Sequence, residues 1–274
     1  MGETFGRTEG LAVVTGAASG MGEATAEIFA RTPGPLLLCD VNEERLAATI
    51  ARFGRSEPVE TLVGDISDTT FPQRLAAAAG NRKIGALVHC AGLSPTMASA
   101  ERILEVNLAA TLRLVEVLPP LMAQNGAAVL FASMAAHGGI EAMDGQLSQI
   151  ASAEDVASLL PICQNSGIAY SVSKRAVLLL ARRLAAVFGK NGSRVTTISP
   201  GIIDTPMGRQ EMEQQAVMNV IVESSALKRP ATAVEVANVA AFLCSPAASF
   251  VSGIDVPVDG GAIAAQQTGA VKLG

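Results

Sequence analysis

The chain predicts a doubly wound α/β fold, a single domain whose parallel sheet is covered by helices on both faces. Three observations carry this. Short runs of Val, Leu and Ile are apolar throughout instead of alternating, as strands buried on both faces must be. Helix-length segments separate the runs, so consecutive strands are joined by crossovers and pair in parallel. A glycine-rich turn links the first run to the first helical segment. With 274 residues and 49% hydrophobic content, the chain can fill one such core.

The elements follow in order. A strand at residues 11–14 enters the turn Thr15-Gly16-Ala17-Ala18-Ser19-Gly20-Met21-Gly22, and a helix is predicted over 22–31. A strand at 36–39 ends in Cys39-Asp40 and precedes a helix over 43–53. A weaker strand at 60–63 is followed by a helix over 71–79, and a strand at 86–88 by a long helix over 100–122. Strand 127–131, helix 170–188 and strand 195–198 come next. A helix over 232–243 opens with Thr232 and Glu235 spaced as a capping box, and a weaker strand at 255–258 ends the sheet.

Two segments fall outside this alternation. Residues 138–168 hold a predicted helix over 153–160, begun by Ser152 with Asp155 three residues on and stopped by Pro161. Residues 205–223 are Met-rich and helix-prone and follow a strand end, which makes them the expected substrate lid. Long excursions at the carboxyl ends of strands are where open α/β sheets build substrate pockets. Met207, Met212 and Met218 offer an adaptable apolar wall there, with ordinary helix packing the competing reading. No repeat or linker interrupts the chain, so 1–274 reads as one domain.

Composition excludes several classes. Lys+Arg 20 against Asp+Glu 25 gives a net charge of −5 with no basic run, which argues against nucleic acid or an anionic membrane as partner and for a small molecule. Cys39, Cys90, Cys163 and Cys244 are scattered and form no C-x-x-C, as expected of reduced core thiols in a reducing cytosol. Residues 1–6 carry no signal pattern, and Gly6 stands where a myristoylation motif wants Ser or Thr, so neither export nor a lipid anchor is expected. The longest uncharged run, 117–140, contains Pro119-Pro120 and Gln124-Asn125-Gly126 and reads as helix end, turn and strand, not as a membrane span. Two histidines without paired cysteines or a carboxylate cluster predict no metal site.

Chemistry concentrates in Tyr170-Ser171-Val172-Ser173-Lys174, where a spacing of four puts phenol and ammonium on one helix face. A cation beside a phenol favours the phenolate and brings the group toward working pH, which suits proton transfer at a carbonyl or alcohol oxygen. The glycine turn lets backbone approach a pyrophosphate while free N–H groups at the helix start attract its charge; a purely structural turn is the alternative. Asp40 ends the second strand, where a carboxylate can accept from both adenosine ribose hydroxyls and repel a 2′-phosphate, selecting NAD over NADP. No Arg stands in the turn or at the two positions after Asp40 to reverse this, and a helix N-cap is the competing role.

Together these motifs resemble the short-chain dehydrogenase/reductase family, over nearly the whole chain. The glycine turn resembles that family's Thr-Gly-x-x-x-Gly-x-Gly motif, and Tyr170 with Lys174 its catalytic pair. Gly64-Asp65-Ile66 resembles its adenine-contacting strand end, Ala91-Gly92 the end of its Asn-Asn-Ala-Gly segment, and Asn107, Ser133 and Pro200-Gly201 fall in the right order. The resemblance implies a Rossmann-like fold and assigns Tyr170 as proton donor or acceptor, Lys174 as its aid and a nicotinamide ribose ligand, and Ser133 as holder of the substrate oxygen. It implies that Asn107 holds a water connecting Lys174 to solvent. The implied cofactor site comprises Gly16, Ser19, Gly20, Met21, Gly22, Asp40, Asp65, Ile66, Ala91, Gly92, Tyr170, Lys174, Pro200, Gly201, Ile203 and Thr205.

Two departures stand out. His89-Cys90 replaces the usual Asn-Asn pair, and 37 residues separate Ser133 from Tyr170 because residues 138–168 intervene. That excursion and Leu87-Val88-His89-Cys90-Ala91-Gly92-Leu93-Ser94-Pro95 are similar to the bacterial 3α-hydroxysteroid dehydrogenase/carbonyl reductase branch. His137 reads either as a pocket residue or as a loop histidine of no consequence, and His89 as a strand-end residue near the cofactor.

The expected function is an NAD-dependent oxidoreductase interconverting a secondary alcohol and a ketone on an apolar cyclic or steroid-like substrate. The alternatives are a non-catalytic dinucleotide-binding regulator or scaffold, and a nucleotide-sugar epimerase or dehydratase, which lacks its large C-terminal substrate domain here. The resemblance also implies a homodimer or homotetramer, built from helices 100–122 and 170–188 or from the last strand and tail.

Overall fold

The computed structural model describes residues 9–269; residues 1–6, on which the expectations about export and lipid anchoring rest, lie outside them, as does the end of the tail. Strands β1 (Leu11–Thr15), β2 (Leu36–Asp40), β3 (Glu60–Val63), β4 (Ile84–His89), β5 (Met122–Phe131) and β6 (Arg194–Pro200) belong to one sheet. Beyond the short pair β7 (Ile203–Asp204) and β8 (Ala231–Thr232), β9 (Asp255–Val258) completes it. The order is β3-β2-β1-β4-β5-β6-β9 and every pairing is parallel. Sequence order reverses between β1 and β4, which opens a crevice at the carboxyl ends of those strands.

In chain order the helices are α1 (Gly20–Ala30), α2 (Glu43–Ala51), α3 (Phe71–Ala79), α4 (Ala100–Leu104), α5 (Ala110–Val117) and the short α6 (Asp144–Leu147). They continue with α7 (Ser166–Gly189), α8 (Pro206–Gln214), α9 (Ala216–Ser224), α10 (Ala233–Leu243) and α11 (Ala262–Gln267). Alternate strand residues serve opposite cores. In β1, Leu11 and Val13 pack in the core that holds Leu75 of α3, Leu112 of α5 and Val177 of α7. Ala12 and Val14 pack with Phe29 of α1, Leu46 of α2 and Val236 of α10. Strands covered on both faces can be apolar at every position, which is why these runs do not alternate. The capping box of α10 forms as read, with both Thr232 and Glu235 engaged.

Several predicted boundaries move. The helix expected over 100–122 does not run through: α4 passes into a π turn at Glu105–Ala109 and α5 ends at Val117. Pro119 and Pro120 lack N–H donors and turn the chain, and Met122 already pairs with Ile84 in the sheet. The helix expected over 170–188 starts a turn earlier, because Asn165 Oδ1 accepts from Ile168 N at 2.9 Å and caps α7. Residues 153–160 are not an α-helix. They fall in a 3-10 segment, Glu154–Ile162, which contains Pro161 because tight turns present no continuous four-residue ladder to interrupt. Residues 205–223 break at Gln215 into α8 and α9.

The excursion at 138–168 lies on the flank of the molecule. Leu147, Ile150, Val156 and Leu159 are buried in the core shared with α5 and α7. Arg175 of α7 clamps Asp144 through two hydrogen bonds of 2.7 and 2.6 Å, and Arg183 donates to the carbonyls of Ser148 and Ile150.

Candidate active site

The crevice over β1 and β4 is a cleft of about 570 Å³. The glycine turn floors it: Gly16 has φ +67°, and a Cβ on Gly22 would lie 2.0 Å from the Gly16 carbonyl oxygen, so only glycine fits the second position. Ser19, Gly20 and Met21 line the same wall at the start of α1. A volume in the range of small-molecule sites, closed at one end by free helix N–H groups, fits a dinucleotide with its pyrophosphate there. Asp40 lines the cleft at the end of β2, its Oδ2 accepting from Ala18 N and its Oδ1 from Asn42 N, both at 2.9 Å. Asp65, Ile66, Ala91 and Gly92 line it too. Burial pushes the Asp65 carboxyl up, but hydrogen bonds from Ser67 and the Arg102 guanidinium outweigh this and hold it below its ordinary range.

A smaller cavity adjoins the cleft past Met21, Cys90, Gly92, Leu93 and Thr205, which line both. Ser133, Tyr170, Lys174, Pro200, Gly201 and Ile203 line it. The 37-residue separation closes in space, since Ser133 and Tyr170 line the same cavity and the Ser133 hydroxyl stabilises the phenolate form. Lys174 is 6% exposed, donates to the Phe131 carbonyl at 2.8 Å and sits 5.8 Å from the Tyr170 ring centroid. The expectation that the ammonium lowers the phenol pKa is corrected. Burial drives Tyr170 up to about 12, the Ser133 hydroxyl opposes this, and the Glu211 carboxylate pushes it further up. Burial likewise draws Lys174 down to about 8, because its charge is removed from water.

Asn107 is 2% exposed, lies in the π turn between α4 and α5, and lines neither cavity. Its amide makes a two-way bond with Leu93, Oδ1 accepting from the N–H at 2.8 Å and Nδ2 donating to the carbonyl at 2.9 Å. A Cβ on Gly92 would lie 3.1 Å from Asn107 Oδ1 and 3.4 Å from Lys174 Nζ, which fixes where the two approach.

His89, the departure from Asn-Asn, is buried between two threonines. Its Nδ1 lies 2.7 Å from Thr15 Oγ1 and its Nε2 3.0 Å from Thr111 Oγ1. Thr111 donates its single hydroxyl proton to the Asn107 carbonyl at 2.8 Å, so it must accept from His89 Nε2–H, and Nδ1 must accept from Thr15. Ala91 N–H then donates to Thr15 Oγ1 at 3.4 Å. One directed chain therefore ties the ends of β1 and β4 to the Asn107 turn. Burial, aided by the charge of Lys174, lowers His89 to about 3 and keeps it neutral.

Other expectations are corrected. Residues 138–168 line neither of these cavities; the excursion packs on α5 and α7, where Leu147, Ser148 and Ile150 line a separate cavity away from Tyr170. Met207 and Met218 line the smaller cavity but Met212 does not. His137 does not line it either: Nε2 lies 3.0 Å from Asp255 Oδ2 and 3.3 Å from Ser199 Oγ, tying its loop to β6 and β9. Sequence reasoning missed Val41, Arg45 and Met97 in the cleft and Glu211 in the cavity. Val41 is 69% exposed directly after Asp40, a visible apolar residue on a polar loop. Glu211 falls four residues after Met207, a spacing that puts both on one helix face.

The profile of the short chain dehydrogenases matches residues 10–146, and that described as enoyl-(acyl carrier protein) reductase matches residues 145–262. The chain belongs to the short-chain dehydrogenase/reductase family. As a short-chain dehydrogenase/reductase it is an oxidoreductase whose fold takes a nicotinamide dinucleotide. It is 30% identical to levodione reductase of Leifsonia aquatica, over 94% of this chain and 96% of that protein. It is 28% identical to 3-alpha-hydroxysteroid dehydrogenase/carbonyl reductase of Comamonas testosteroni, over 92% and 95% of the two chains. The crystal structure of the 3-alpha-hydroxysteroid dehydrogenase from Pseudomonas sp. B-0831 complexed with NADH superposes with a TM-score of 0.77 at 27% identity, covering 94% of this short-chain dehydrogenase and 98% of that one. Among the described residues, no helix is long and apolar enough to cross a membrane.

Proposed function

We propose that the protein is an NAD-dependent oxidoreductase interconverting a secondary alcohol and a ketone on an apolar cyclic substrate. One observation carries the reading: Tyr170, beside Ser133 and one turn from Lys174, opens onto a cavity with methionine walls that adjoins the dinucleotide cleft. The nicotinamide supplies or accepts the hydride. Ser133 holds the substrate oxygen, and Tyr170, protonated at neutral pH, donates to it as the ketone is reduced. Lys174 orients the nicotinamide ribose, and Asn107 positions a water behind it. Gly16, Ser19, Gly20, Met21 and Gly22 cradle the pyrophosphate, Asp65 and Ile66 flank the adenine, and Ala91 and Gly92 back the cofactor. Pro200, Gly201, Ile203 and Thr205 border the nicotinamide, and residues 205–223 serve as the lid of the single domain.

The preference for NAD rests on Asp40, whose lone pairs beyond those used by Ala18 and Asn42 face ribose hydroxyls and whose charge disfavours a 2′-phosphate. Arg45 lines the same cleft and is the group that would favour NADP. The cyclic substrate is supported by two relatives named for levodione and hydroxysteroids. No observation favours the non-catalytic alternative. Four cysteines outside any disulfide, three of them buried, support a reducing, cytoplasmic setting, and the β9 edge supports a homodimer or homotetramer. The deciding experiment follows NADH absorbance as the protein meets NAD or NADP with a panel of cyclic secondary alcohols, hydroxysteroids included. NAD-specific turnover is expected. Tight binding without turnover of any alcohol, or of any ketone in reverse, overturns the reading.

A further inference from the structure

The small cavity is apolar along Leu93, Met207 and Met218, yet Glu211 of α8 opens into it beside Tyr170 and Ser133. The donor beside its carboxyl is Ser94, which is 1% exposed, pairs with Thr96 at 3.1 Å and stabilises the charged form of Glu211. No salt bridge joins Glu211 to a cation among the described residues. Glu211 is half-buried; a carboxylate can accept about four hydrogen bonds, and drawing it partly out of water with few donors is costly unless something else supplies more. Burial pushes the Glu211 pKa up while Ser94 draws it part of the way back, the pattern of an acid short of partners.

We propose that Glu211 recognises a hydrogen-bond donor on the substrate, a hydroxyl or an ammonium, carried on the part of the molecule that lies away from the reacting carbonyl. The substrate is then a cyclic ketone or alcohol bearing a second, donating group, not a plain hydrocarbon ketone. An anionic substrate is disfavoured, since its charge would meet the like charge of Glu211 in the cavity. The argument deepens the proposed function and rests on its placing of the carbonyl at Tyr170 and Ser133.

The test uses the full chain with NADH, a plain bicyclic ketone, and two analogues bearing a distal hydroxyl or a distal amine. Both kcat/KM and the thermal shift at saturating ligand are measured for the unmodified protein, Glu211→Gln, Glu211→Leu and Ser94→Ala. A hydrogen bond to a charged partner predicts a roughly ten- to hundredfold preference for a donor-bearing analogue. Glu211→Leu should erase that preference. Glu211→Gln should keep it for the hydroxyl and lose it for the amine, and Ser94→Ala should loosen the carboxyl and lower it. Equal preference in the unmodified protein and Glu211→Leu overturns the inference. If no ketone turns over, the proposed chemistry fails, but the thermal shifts still decide on Glu211: equal shifts from all three ligands refute the site, and a selective shift lost in Glu211→Leu upholds it.

Discussion

Tyr170 carries its proton to about pH 12 because its hydroxyl is buried beside a carboxylate, so at neutral pH it is poised as an acid. Tyr170→Phe removes that proton and keeps the ring, and kcat for ketone reduction should fall by roughly 10²–10⁴-fold. Quenching titrations with NADH should give a nearly unchanged Kd, and turnover retained at the original rate would transfer the acid role elsewhere. His89 makes a prediction about stability. Its folded pKa of about 3 lies below the ordinary 6.5. Between those values the unfolded chain binds a proton that the folded chain refuses, so stability falls as pH drops through 6.5. From pH 6.5 to 5 this amounts to about 2 kcal/mol. Asparagine also offers both donors and an acceptor but does not titrate, so His89→Asn should lose several degrees less in Tm over that interval. Parallel Tm curves would show that the imidazole carries no such cost.

At the scale of elements, the turn into α1 is tightly constrained. Gly22→Ala places a methyl 2.0 Å from the Gly16 carbonyl, and that carbonyl is backbone that cannot swing aside. The variant should bind NADH at least tenfold more weakly and melt lower, as fluorescence titration and calorimetry would show. This turn was legible because its function depends on residue type at fixed spacing. The strands at 60–63 and 255–258 read more weakly but form where expected, as does the helix at 71–79, which ends at Gly80. What stayed hidden depends on tertiary distance. The Ser94–Glu211 contact joins segments far apart in sequence, and no local pattern announces it. The phenol shift was misjudged because the Tyr-x-x-x-Lys spacing reveals the neighbouring cation but not the depth of burial, which here is the larger effect. The predicted run through Met122 failed because apolar content continued across the two prolines from helix into strand.

For the whole molecule, the excursion at 138–168 covers part of the α5 and α7 flank, while the far edge of the sheet stays open at β9. Phe250, fully exposed, and Ile254, 46% exposed, stand on the segment leading into that edge. An apolar edge of this kind is a place for self-association. Phe250→Asp should shift the mass seen by light scattering toward the monomer, and an unchanged mass would place any interface elsewhere. The same edge also bears on biosynthesis. β6 is buried along its whole length, and β9, which pairs with it in the finished sheet, is translated some sixty residues later. Asp255, which receives Thr197 Oγ1 at 2.7 Å and faces His137, arrives with it. Until then a nascent chain that already holds both Ser133 and Tyr170 presents β6 as an unpaired strand edge. A ribosome stalled short of Asp255 would therefore expose an unpaired strand edge open to pairing with another chain.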